Sequence, residues 1–372
     1  MVHSRRLSAT LAHLTTAPTA SASSTTVLLG GTELDDTGPS YRYREYCAEE
    51  VETFVGQLQT EGWVVLPECI EPALVPKLIA ASDRLMATEG HGFGLPGKVT
   101  ISGQVVAKDK VYWDLLENHN ILTVVRGFLG EDFLLSSCST RNLHPGCPQQ
   151  QIHVDDDMYR YTPELRELFS RPLPVQLSCT VAVALTDLKN TIYPRSHRWQ
   201  ETPEQVAQQE KFQFGTIADP RNPAALVKWR KWAKKNKGVE PIQATAKAGS
   251  VLVWTGGTWH GAGSWSEDAA GDRTAVILNC ARGVLRTQTS QGVYGLAAMP
   301  FSLTRQMSMN LKRLLGCFPA GHGLGGSQQL QLRAHDNLRQ LLEAEVGQKK
   351  FADLLQNPSA IAAIAAVLEK QM

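Results

Sequence analysis

At 372 residues with 42% apolar content, the chain is long enough to bury one large core with additions. Its 37 basic and 36 acidic side chains leave a net charge of +1, which excludes the strongly basic footprint of a nucleic-acid binder. Seven cysteines at positions 47, 69, 138, 147, 179, 280 and 317 make an odd set with no C-x-x-C pair, and no run of about eighteen apolar residues occurs. Reduced thiols and no membrane span are therefore expected.

Residues 1–40 are rich in Ser, Thr and Ala and carry no acid before Glu33, so they read as a flexible tail. Arg6, Leu7, five residues, then His13 and Leu14 match the N-terminal peroxisomal pattern R-L-x5-H-L, which predicts import through a peroxisomal receptor. Mitochondrion, plastid and cytoplasm are the alternatives. From residue 41 the composition turns globular. Cys47 to Gly62 has helical spacing, WVVL at Trp63 to Leu66 opens a strand, and Ala73 to Thr88 and 111–129 read as further helices. Short strands with Gly and Pro turns dominate 133–285, broken by an insertion at 203–237. The pattern predicts a mainly β domain with flanking helices over 41–300, built as a double-stranded β-helix: a cupin-like jelly roll. Residues 301–372 carry apolar positions at three and four spacing and read as a helical C-terminal extension that covers the barrel or serves a homodimer.

The chemistry lies in QQQIHVDDD, Gln149 to Asp157, which follows a Pro/Gly turn. If His153 begins a strand, the period of two puts His153 and Asp155 on one face and Val154 on the other. Asp156 and Asp157 read as a solvated loop. In the segment Ala248 to Gly263, an apolar strand, a Gly-rich turn, then Trp259 and His260 supply a second histidine 107 positions after the first, among glycines that permit close packing. Two imidazoles and a carboxylate are the donor set of a non-haem iron(II) facial triad with open positions. Arg273 opens an apolar alternation at the next strand, where a buried guanidinium needs a partner. A dicarboxylate such as 2-oxoglutarate is one that it can hold bidentately.

With EGWVVLPECIEPALVPKL (Glu61 to Leu78), the H-x-D, TDLKNTIYPRSHRW (Thr186 to Trp199), the distal His and the Arg, the chain resembles the phytanoyl-CoA dioxygenase family over residues 46–300. The resemblance implies His153, Asp155 and His260 as iron ligands, Arg273 on the distal carboxylate of 2-oxoglutarate, O2 as second co-substrate and ascorbate as reductant. It also implies Gln150 as a co-substrate or substrate contact. Relatives read N-G-x-T, a few residues, then I-P-G-S-H; here Asn190 to His197 is shorter, with Arg195 in place of Gly. Thr191 is then a candidate co-substrate hydroxyl, and His197 a structural or substrate-side histidine. Ala262 replaces a Ser of some members, and Lys110 matches a co-substrate lysine of others or is a solvated lysine.

The function expected is oxidation, chiefly hydroxylation, of a small organic or lipid-like substrate such as a fatty acyl-CoA, with release of succinate and CO2. A dioxygenase of secondary metabolism, a cupin-type metal-binding protein without oxygenase activity, and an inactive scaffold are the alternatives. In the insertion, KWRKWAKKNK (Lys228 to Lys237) is the dense basic cluster. It is either an amphipathic helix whose tryptophans pack on the barrel or a handle for the phosphates of coenzyme A.

Overall fold

The computed structural model describes residues 43–92, 97–159, 175–200, 223–285, 301–304 and 306–316. The targeting pattern in the tail and most of the C-terminal extension lie outside these.

Helix α1 (Ala48–Glu61) starts where Glu50 turns back to accept a 3.1 Å hydrogen bond from the Cys47 amide, and it ends at Gly62. Gly62 has φ of +83°, a left-handed conformation that side chains resist, and this lets the chain reverse straight into strand β1 (Trp63–Leu66). Helices α2 (Leu74–Glu89), α3 (Val111–Leu116) and α4 (His119–Leu129) follow, separated by the short strands β2 (His91–Gly92) and β3 (Val99–Gly103). Strands β4 (Leu134–Leu143), β5 (Ser178–Ala184) and β6 (Leu188–Ile192) precede helix α5 (Pro223–Lys237). Then come β7 (Ile242–Ala246), β8 (Val251–Thr255), β9 (His260–Ala262), β10 (Arg273–Ala281) and the short helices α6 (Phe301–Thr304) and α7 (Met309–Leu314).

The strands form two antiparallel sheets. The larger runs β1-β8-β5-β10-β4-β3-β2, the smaller β7-β6-β9. This is the jelly roll expected from the spacing of short strands and turns. Alternation along the large sheet sorts its residues onto two layers. Val181, Val183, Val251, Val253, Val276 and Leu278 face outward and bury the apolar sides of α1 to α4 together with Met307 and Leu311. The inner face meets the small sheet over Ala182, Ala184, Leu252, Trp254 and Ala275, packed on Leu188, Ile192, Ala244 and Ala246.

A third cluster holds Tyr193, Trp229 and Trp259, with Trp199 and Trp232 at its edge. Trp229 and Trp232 stack at 4.8 Å on one side of α5, and Trp229 lies 5.1 Å from Trp259. The tryptophans of the basic helix thus pack on the barrel, while Lys228, Arg230, Lys231, Lys234 and Lys235 stay exposed.

Candidate metal centre

His153 does not begin a strand, contrary to the expectation from period-two spacing. It forms a single antiparallel bridge with His260, each amide donating to the other's carbonyl at 2.9 Å, and Asp155 then starts a 3-10 turn (Asp155–Tyr159). The turn forms because Asp156 is drawn inward, a second departure from the solvated loop expected. Asp156 is only 3% exposed; its amide donates to Gly256 O and its carboxylate accepts 2.6 Å from Ser178 Oγ. The bridge itself needs Gly261. A Cβ there would stand 2.8 Å and 2.9 Å from the carbonyls of Gln151 and Gln150, closer than carbon tolerates.

The result brings His153, Asp155 and His260 together, with one ligand atom from each inside a span of 4.8 Å. Nε2 of His153 lies 3.7 Å from Asp155 Oδ1, and Nε2 of His260 lies 3.6 Å from Asp155 Oδ2. Both rings are fixed from behind: His153 Nδ1 donates to Gln151 O and His260 Nδ1 to Thr258 O, each at 2.8 Å. With Nδ1 carrying the proton, the Nε2 lone pair of each ring points at the shared space. Burial pushes His260 down to about 4, so its imidazole is neutral at physiological pH and free to donate that pair. For Asp155 burial opposes ionisation, yet the two imidazoles and the hydrogen bonds from Thr180 (2.6 Å) and Trp254 Nε1 (2.9 Å) outweigh it, and the carboxyl stays below its ordinary range. A carboxylate facing the Nε2 atoms of two imidazoles, with one open side, suits a divalent first-row metal. His153 and Asp155 keep 20% and 18% of their side chains exposed, against 3% for His260, so the open side lies toward the first two.

Arg273 occupies the first position of β10 at the other end of the inner face, and only 2% of it is exposed. Its guanidinium donates to Lys189 O at 3.1 Å and to Gly263 O at 2.5 Å, and stacks 5.4 Å from the Trp265 ring. Among the described residues no carboxylate pairs with it. Burial lowers its proton affinity to about 10, and it remains a cation at physiological pH.

The other residues named from the sequence are occupied by the fold. Gln150 Oε1 accepts from Ala262 N at 3.0 Å and Thr191 Oγ1 accepts from Gln243 Nε2 at 2.9 Å. Lys110 donates to Gln306 and lies 5.4 Å over Trp113. His197 is buried, with Nε2 at 3.1 Å from Gln59 O, and takes no part in the triad. Arg195 shows how the shortened loop closes. It takes a left-handed φ of +61°, the conformation for which glycine is suited, and an ion pair to Glu61 at 2.9 Å accompanies it. The residues that sequence reasoning missed are Thr180, Trp254 and Asn279, which back Asp155 from the strands β5, β8 and β10. Their inward alternation was readable; their register against Asp155 was not.

A jelly roll in which one carboxylate and two imidazoles converge, with a buried arginine further along the same face, has the donor set of a metal-dependent enzyme. The profile of the phytanoyl-CoA dioxygenase (PhyH) family matches residues 58–271, more than half of the chain, and the chain belongs to that family. It is therefore a 2-oxoglutarate-dependent dioxygenase, an oxidoreductase. The matched segment contains all three triad residues and stops two positions before Arg273. Dioxygenase cdmA of Talaromyces verruculosus is 28% identical over 243 residues, 59% of this chain and 69% of its own. Two solved structures overlap it partially. The non-heme alpha ketoglutarate dependent epimerase SnoN from nogalamycin biosynthesis has 15% identity and a TM-score of 0.47 over 63% of this chain and 82% of its own. HygX of Streptomyces hygroscopicus, with nickel and 2-oxoglutarate bound, has 13% identity and a TM-score of 0.46 over 66% and 91%.

Proposed function

We propose that His153, Asp155 and His260 hold Fe(II), that Arg273 holds the distal carboxylate of 2-oxoglutarate, and that the enzyme hydroxylates an organic substrate with release of succinate and CO2. The observation that carries this reading is the Arg273 guanidinium, buried, bonded to two neutral carbonyls and stacked on an indole, with no carboxylate partner among the described residues. A buried charge without a counter-charge is costly, and a dicarboxylate entering between the sheets would offset that cost. The iron would supply the oxidising chemistry, with ascorbate as the reductant that keeps it ferrous. The chain itself binds, orients and excludes water. His153 and His260 would present Nε2 to the metal, and Asp155 a carboxylate held by Thr180 and Trp254; the small side chains of Ala182, Ala184 and Ala275 line the inner face along which a short dicarboxylate would lie. Gln150 and Thr191 accept through their oxygens in this structure, so the Gln150 amide N–H and the Thr191 hydroxyl proton would be their contacts to a co-substrate.

Succinate release measured with Fe(II) and 2-oxoglutarate, with and without candidate substrates, tests the reaction. Succinate that needs both additions and rises with a substrate supports it; none under any condition refutes it, and leaves a metal-binding protein without oxygenase activity.

For the substrate we infer a fatty acyl-CoA. Its support is the placement of α5: Trp229 anchors the helix on Trp259, the neighbour of His260, while five cations face solvent, where phosphates of a coenzyme A handle would meet them. The Lys231→Glu, Lys235→Glu double variant should weaken acyl-CoA thioesters with a steep salt dependence and leave the free acids alone. Equal turnover of both classes would remove the inference in favour of a substrate from secondary metabolism. Peroxisomal import through Arg6, Leu7, His13 and Leu14 goes with the same substrate class. Residues 1–40 fused to a fluorescent protein should mark peroxisomes, and mitochondrial, plastid or diffuse signal would rule that out.

A further inference from the structure

The hydrogen bonds behind Asp155 contain a conflict. Thr180 Oγ1 lies 2.6 Å from Asp155 Oδ2 and 2.7 Å from Asn279 Oδ1. A hydroxyl has one proton, and both neighbours, drawn this way, only accept. Asp155 as a metal ligand is a carboxylate and has no proton to offer. On its other side Asn279 Nδ2 lies 2.7 Å from Ser137 Oγ. A half-turn of the Asn279 amide exchanges its oxygen and nitrogen at these two contacts, and there it resolves the conflict. Ser137 then donates to Asn279 Oδ1, Asn279 Nδ2 donates to Thr180 Oγ1, and Thr180 donates to Asp155 Oδ2. Along this row each contact then has one donor and one acceptor, and all three point the same way.

The fold has made a place for this row. Ser137, Asn279 and Thr180 are directly paired across β4, β10 and β5, so alternation aims all three side chains at the inner face. The ladder between β4 and β10 shifts register at Asn279, an irregularity of the kind that re-aims a side chain beside an active site. Trp254 Nε1 adds a second donor to the same oxygen at 2.9 Å. Oδ2 has two lone-pair directions, and Thr180 and Trp254 use both. Oδ1 alone is left for a metal.

We propose that Ser137, Asn279 and Thr180 form a one-way line of hydrogen-bond donors that, with Trp254, holds Asp155 to its metal through a single oxygen. The line makes Asn279 and Thr180 positioning residues. Single-oxygen attachment spares one coordination position, which a bidentate co-substrate and O2 both need. The proposal rests on the metal reading above, and its consequences differ from the failure of that reading.

Cobalt(II) substitutes for the natural ion in the test, because its visible absorption reports coordination number without turnover. Wild type should bind Co(II) with the bands of an open site. Thr180→Val, which keeps the shape and removes the donor, should weaken Co(II) about tenfold and change the spectrum, the usual scale for loss of a residue that orients a ligand. Thr180→Ser should restore both. Asn279→Leu should shift affinity and spectrum in the same direction, by less. Ser137→Ala, a small change at a buried seryl position, provides a variant that folds if Asn279→Leu does not, and should give the smallest shift of the same sign. If Thr180→Val changes Co(II) binding while Asn279→Leu and Ser137→Ala both leave affinity and spectrum at wild-type values, the line ends at Thr180 and the proposal fails. Unchanged binding in Thr180→Val also overturns it. Wild-type protein that binds no Co(II) would sink the metal centre itself.

Discussion

The two ends of the barrel interior manage their charges in opposite ways. At the metal end Asp155 is surrounded by donors, Thr180 and Trp254 on one oxygen and two imidazoles beside it. At the other end Arg273 has neutral carbonyls and an indole but no acid among the described residues. The first end is complete in its outer contacts and waits for a cation. The second has no acid beside it among the described residues, and on the proposed reading this difference in wiring would order two charged guests, each at its own end.

The largest effect expected from breaking this contrast is at the metal end. Asp155→Ala or His260→Ala removes a donor rather than its support, so metal affinity should drop by more than about a hundredfold, beyond the range for outer residues, with the fold retained. Calorimetric titration with Fe(II) or Co(II) checks it, and near-normal affinity in either variant would dissolve the triad.

Arg273→Ala acts on the opposite end alone. Metal affinity should stay, while the 2-oxoglutarate concentration at half-saturation rises about a hundredfold, since a charge-assisted contact is worth about 3 kcal/mol. Arg273→Lys should recover only part of it, because a single ammonium cannot reproduce the fork.

Trp265 sharpens the comparison at smaller scale. Trp265→Ala removes the ring over the guanidinium and lets water reach it, and a contact of about 1 kcal/mol corresponds to a roughly fivefold rise in half-saturation with unchanged metal binding. A fall in metal affinity instead would show that the two ends are not separable.

Smallest is an effect distant from both ends. Burial lowers the His197 pKa below the ordinary value of 6.5, so the folded protein binds this proton less readily than the unfolded chain. The neutral ring contributes stability above 6.5, and that contribution is lost as pH falls through that value. Denaturation midpoints of wild type and His197→Gln, followed from pH 8 to pH 5, should therefore converge toward low pH. Parallel curves would contradict the assignment.

The triad and Arg273 were legible in the sequence because their residue types and spacing are themselves the chemistry. Helices α1 and α2 were legible from apolar periodicity, and 133–285 as a run of short strands from its turns; 111–129 reads as one helical segment, which Asn118, capping α4, divides into α3 and α4. What the sequence hid depends on contacts between distant segments. The His153 bridge is decided by a partner 107 positions away, and Asp156 is buried because Ser178 and Gly256 receive it. Three consecutive aspartates carry no local sign that the middle one turns inward. Thr180 and Asn279 are 25 and 124 positions from Asp155, and only the register of three strands brings them into line with it. Arg195 in a left-handed turn was invisible for another reason: the ion pair with Glu61 that accompanies it joins residues 134 apart.

The proposed site puts iron at one end of the barrel interior and the far carboxylate of 2-oxoglutarate at the other. Absorption of the metal-free protein mixed anaerobically with Fe(II) and 2-oxoglutarate tests it most directly, because a visible charge-transfer band arises only when both sit in the same site. The account predicts a band that needs both additions, disappears in His260→Ala, and returns in Arg273→Ala only at far higher 2-oxoglutarate. No band in wild type, or a band indifferent to Arg273→Ala, would contradict it.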